Sequence, residues 1–237
     1  MRNKWWAKLM RIVVIVLLSL AAVVTLMGGV GTTCVALNPT GFDGKFAAIA
    51  PFQWLWILFV LIGIAAGVLG VRAVVLLIRG TKNAYRAALI ALLLGVAVNA
   101  IHLLASRALR GASMPVDAVL YANVLTLIVF LLLRLPGVWQ GVNFEKSSSD
   151  RQTGRFAAAI ALGAAGLLTL TIQFPMASTH TINGVNYADV WHMTLSLLGG
   201  GLITVGALTA FLERWMTSWQ RRLETNSAHS GKPALRA

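Results

Sequence analysis

Six stretches of the chain, residues 12–30, 54–78, 87–105, 118–135, 156–174 and 190–212, are apolar over lengths that cross the roughly 30 Å hydrocarbon core of a bilayer. Nothing else in the sequence constrains the fold so strongly. Lipid offers no hydrogen bonds, so each segment must satisfy its own backbone, and runs of about 20 residues do that as α-helices. The expected fold is therefore all-α, a polytopic membrane protein built as a bundle of six transmembrane helices. Composition agrees: of the 237 residues only 11% are charged, against about 25% in a soluble domain. The joints carry helix-stopping residues, Asn38-Pro39 after the first run, Gly111 and Pro115 after the third, and Pro136-Gly137 after the fourth. Residues 1–11 form a basic N-tail. The first run is longer than a signal-peptide core and is expected to remain as an anchor, with a weak alternative cleavage point near Val35 and Ala36. The polar linker 139–155 and the tail 226–237 are expected to be mobile, with residues 213–225 a basic amphipathic segment carrying Trp215 and Trp219.

A net charge of +13 would suggest a nucleic-acid partner in a soluble protein. Its distribution removes that reading. With six spans, 17 of the 20 Lys and Arg residues fall on the side of the two termini, and only Lys45, Arg107 and Arg110 lie opposite. The positive-inside rule then places both termini in the cytoplasm, in a cell inner (plasma) membrane, where the basic side meets an anionic inner leaflet. The tryptophans cluster at the same predicted interfaces, Trp54, Trp56 and Trp191 at one and Trp5, Trp6, Trp139, Trp215 and Trp219 at the other.

Small residues mark where helices meet. Gly63, Gly67 and Gly70 share a face of the second span, Gly163 and Gly166 lie in the fifth, and Gly199, Gly200 and Gly201 in the sixth. Packing within the bundle is their expected use, with homodimerisation through the second span as the alternative. Three consecutive glycines also lower helix propensity, so the sixth span either bends there or packs closely under a neighbour.

The third span carries polar residues on one narrow face, Gly95, Asn99, His102 and Ser106. Arg107 and Arg110 follow it, Asp117 and Tyr121 open the fourth span, and Asp189, His192 and Ser196 share a face at the start of the sixth. With His180 in the preceding loop, the ionisable groups gather at the outer end of the bundle, which makes these the candidate ligand-binding residues. Two readings compete with simple hydrogen bonding across the bundle. His102 and His192, on different helices, are the donor set for a b-type haem or, with a carboxylate, a metal ion. The arginines suit an anionic headgroup or substrate.

Enzyme classes find little support: HExxH, GxxxxGK[ST] and GxSxG are absent, and Cys34, the single cysteine, excludes an intrachain disulfide and any CxxC site. The sequence leaves three expectations, ranked. The first is a non-enzymatic subunit or accessory component of a membrane complex. Next come a small-solute or lipid transporter with a site near the outer ends of spans three and six, and a haem-binding electron carrier using His102 and His192.

Overall fold

The computed structural model describes residues 5–142, 144 and 151–230. Helix α1 spans Trp5–Leu37, a short 3-10 helix Ala47–Phe52, α2 Gln53–Arg79, α3 Ala84–Arg110, α4 Val116–Leu132, α5 Pro136–Val142, α6 Arg151–Thr171 and α7 Gln173–His180. A two-stranded antiparallel hairpin, β1 Thr181–Ile182 and β2 Val185–Asn186, leads into α8, Tyr187–Val190, and α9, His192–Ser230. Among the described residues five helices are long and apolar enough to cross a membrane, and six if α4 and α5, bent by 95° at their junction, count as one span. The all-α membrane architecture expected from the apolar runs is thus present.

Helix α1 is the hub, packed against α2, α4, α5 and α6. Its 33 residues outlast the expected 12–30 because no breaker intervenes before Asn38-Pro39. The hydroxyls of Ser19, Thr25 and Thr32 donate to the carbonyls of Ile15, Ala21 and Gly28, each at 2.7 Å, so these side chains need no outside partner in an apolar setting. Its contact with α2 is close. A Cβ at Gly67 would stand 2.8 Å from the Leu26 backbone, and one at Gly70 2.7 Å from Ala22 Cβ, so glycine at both places lets the two helix axes approach.

The helices end where the sequence provides for it. Gly80 takes φ 66° after α2, with the Thr81 N–H donating to Leu76 O, and Gly111 takes φ 70° after α3 and donates to Arg107 O. Gln53 Nε2 donates to Ala36 O and Leu37 O, satisfying carbonyls that the last turn of α1 leaves open.

Two apolar clusters close the bundle. At the end where α1 begins, Ile15, Leu18, Leu77, Tyr85, Leu92, Phe130, Leu133, Val142 and Phe144 are buried together. Tyr85 donates from its hydroxyl to Phe130 O at 2.8 Å and meets Trp139 edge to face, while the Arg134 guanidinium lies 4.3 Å from the Trp139 ring centre. This corrects the expected mobile linker: its first residues, Trp139 to Val142, belong to α5 and pack, because their apolar side chains are covered by α1 and by Tyr85. Residues 143 and 145–150 of that linker lie outside the described residues. At the other end, the hairpin end, Phe42, Phe46 and Ile49 of the first loop close over Trp56, Phe59 and Val98. Lys45 Nζ donates to Thr181 O and the Asn183 N–H to an Asp43 carboxylate oxygen, which ties that loop to the hairpin.

Helix α9 lies differently. It rests on α6 through glycine, with a Cβ at Gly199 falling 2.7 Å from Gly166 O and one at Gly206 2.8 Å from Ala159 O. It is one continuous helix through Gly199, Gly200 and Gly201, without a break. It also continues to Ser230, beyond the expected span end at residue 212 and into the tail expected to be disordered from residue 226; residues 231–237 lie outside the described residues.

Candidate functional site

The polar face of α3 is turned into the bundle. Asn99, His102 and Ser106 are buried, and the helical spacing of four brings Arg110 onto the same side as His102 and Ser106. Asn99 Nδ2 donates to Gly95 O at 2.7 Å, so its amide closes on its own helix. Gly95 makes room for a residue outside the stripe: a Cβ there would stand 2.5 Å from Asn123 Oδ1 of α4. Asn123 Nδ2 in turn donates to Thr25 Oγ1 of α1 and to Val119 O, both at 2.8 Å. A buried hydrogen bond therefore ties α4 to α1, with Gly95 of α3 packed against the asparagine that makes it.

His102, 7% exposed, sits against α2, stacked on Phe59 with ring centres 4.5 Å apart and edge to face with Trp56 at 5.8 Å. Among the described residues its ring nitrogens have no hydrogen-bond partner. His192 is exposed at the start of α9, with Nδ1 3.0 Å from Asp189 O. The two histidines considered for haem thus face different surroundings, one an aromatic slot on α2, the other its own helix start. Among the described residues no group of three or more His, Cys, Asp or Glu side chains is arranged to hold a metal ion.

The residues that do converge are those of the α3–α4 joint. Arg107 Nε donates to Ser113 Oγ at 3.0 Å, Ser113 donates to Asp117 Oδ2 at 2.9 Å, and an Arg107 terminal nitrogen lies 3.8 Å from the same carboxylate oxygen. Arg110 donates to Ala112 O at 3.2 Å and lays its guanidinium over Phe46, 4.3 Å from the ring centre. Two atoms of this cluster, Arg110 Nε and Asp117 Oδ1, are shielded from solvent and have no hydrogen-bond partner among the described residues.

The other candidates stand apart. Tyr121 is exposed on α4, and Asp189, His192 and Ser196 are exposed at the α9 start. His180 Nδ1 lies 3.0 Å from Thr179 Oγ1 and 3.2 Å from Met176 O within α7. Of the glycines, Gly166 and Gly199 back onto each other, whereas a Cβ at Gly163, Gly200 or Gly201 would meet no atom within 4 Å. The sequence reading passed over Asn123. A lone asparagine with Val119, Thr126 and Phe130 at helical spacing on the buried face of α4 was the available signal.

Compared with models of protein families, with curated proteins and with solved structures, the chain matches none.

Proposed function

We propose that the protein is a non-enzymatic component of a membrane complex that docks a transmembrane helix of a partner chain along the outer face of α9. The observation that carries this is the one-sided packing of that helix. Only 11% of its most apolar stretch is buried, against 44% in α1. Its far side presents Leu197, Leu208, Phe211 and Trp215, all more than half exposed, with Gly200 and Gly201 open between them. Lipid covers bulky apolar side chains without help from small ones. Open glycines next to them favour a neighbouring backbone, because helices in lipid associate by close packing rather than by a hydrophobic driving force. The buried polar groups of α3 and α4 agree with a structural role, since Asn99 and Asn123 spend their amide donors inside the bundle.

The reading includes an inner-membrane location with cytoplasmic termini, supported by the 17 basic residues on the side of the termini. The docking test is Gly201→Leu. Purified in gentle detergent, the wild type should carry a stoichiometric partner that Gly201→Leu loses while it keeps its own thermal stability. A monomeric wild type with no co-purifying chain overturns the reading. Orientation is checked with Thr40→Cys in a Cys34→Ser background, which an impermeant maleimide should label in intact cells; labelling only after lysis reverses it.

A further inference from the structure

We infer that the first loop and the β1–β2 hairpin form a latched lid over the end of α3, and that releasing the latch uncovers the aromatic slot that holds His102. The latch consists of two exposed hydrogen bonds: Lys45 Nζ donates to Thr181 O at 3.0 Å, and the Asn183 N–H donates to Asp43 Oδ2 at 3.2 Å. The backbone on both sides of it is unusual. Among the described residues, Asp43 at φ 51° and Asn183 at φ 48° are the only non-glycine residues with positive φ, and they are the two partners in the second bond. Each is followed by a glycine that is also left-handed, Gly44 at φ 75° and Gly184 at φ 77°. Side chains other than glycine adopt that region at a cost, least for Asp and Asn, so two such turns docked on each other mark a contact that holds both in place.

Beneath the latch lies the lid itself. Phe42, Phe46 and Ile49 pack with Trp56 and Phe59 of α2, and the 3-10 helix that carries Ile49 also touches α3. Phe46 stacks on the Arg110 guanidinium, 4.3 Å from the ring centre, about two turns along α3 from His102. The His102 ring in turn lies on Phe59 and meets Trp56 edge to face. Lid and histidine therefore share the same two aromatic rings. What keeps the lid down is slight by comparison. Beyond the two bonds, the hairpin reaches this apolar cluster, among the described residues, through the half-buried Ile182 alone. Two-residue strands have little stability of their own, and segments held by exposed hydrogen bonds over few buried apolar contacts are where proteins open locally.

The test is maleimide labelling of the full chain in gentle detergent, in a Cys34→Ser background, at Ile49→Cys in the lid and at His102→Cys beneath it. With the latch intact both sites should label at least about tenfold more slowly than the exposed Thr40→Cys. Asp43→Ala and Lys45→Ala should each speed both sites about fivefold, the scale of one hydrogen bond. Asp43→Asn, which keeps an acceptor and tolerates φ 51°, should leave the rates near wild type. Ala88→Cys, fully buried in the opposite cluster, should not respond to any of these changes. Unchanged rates at both sites in the latch variants overturn the proposal. Acceleration at Ile49 alone also overturns it, because the slot would then stay covered when the lid lifts, and equal acceleration at Ala88 does so by making the opening global. Hydrogen exchange in the unsubstituted chain decides the matter if a cysteine variant does not fold: loop and hairpin amides should exchange together and ahead of those around Trp56 and His102, and exchange of all of them at one common rate contradicts the latch.

Discussion

Helices α1 and α9 are both long and apolar, yet they are held in opposite ways. Around α1 the contacts come from every side. Val14, Ile15 and Leu18 are almost fully buried, glycines of α2 admit its backbone, and Asn123 reaches across to its Thr25. Around α9 the contact is one stripe against α6, with glycine backbones touching and large side chains left outside. The difference shows that a hydrophobic helix in a membrane protein is not assigned to the core by its hydrophobicity. Lipid and protein are equally apolar, so position follows the small residues and the polar atoms that find partners.

That contrast can be broken by substitution, and the largest effect belongs to the hub. Gly67→Leu puts a side chain where the Leu26 backbone already lies, and should cost about 3 kcal/mol, the upper range for overpacking, seen as a large drop in melting temperature in detergent. Gly199→Leu should do comparable harm through Gly166, yet Gly201→Leu, two residues on, should stay within about 0.5 kcal/mol of wild type because nothing stands near its Cβ. Equal damage at Gly199 and Gly201 would mean that α9 is enclosed on both sides within the monomer. Next in size is the apolar knot at the α1 start: Tyr85→Phe, losing the bond to Phe130 O, should cost about 1 kcal/mol in the same assay. Smaller than that loss is Asn123→Ala, about 0.6 kcal/mol as for interhelical hydrogen bonds in membrane proteins generally. A cost several times larger would make that tie a determinant of the hub instead of an accessory to it.

Much of this architecture was legible in the apolar runs. Among the described residues five of the six runs fall on helices long and apolar enough to cross a membrane and the fourth on α4, and the glycines of α2 marked a close approach that the structure places against α1. What escaped was decided by tertiary packing. The linker after Pro136 reads as polar, but its Trp139, Val142 and Phe144 find cover from α1 and Tyr85, so its first part folds back as α5. Periodicity put Asn99, His102 and Ser106 on one face and the structure buries that face, yet it could not say that His102 would lie flat on Phe59. Nor could spacing show that Arg107 and Asp117 meet through Ser113 while Asp189 on α8 and His192 on α9 stay exposed, because the α3–α4 turn and the α6–α9 contact set those distances.

The contrast between the two helices is tested most directly by in-cell photo-crosslinking from two side chains of similar exposure, Leu208 on α9 and Leu104 on α3, each replaced in turn by a photoreactive phenylalanine. Docking along α9 predicts a discrete protein adduct of constant size from position 208 and none from position 104, which faces lipid. No protein adduct from either position, or the same adduct from both, would contradict it.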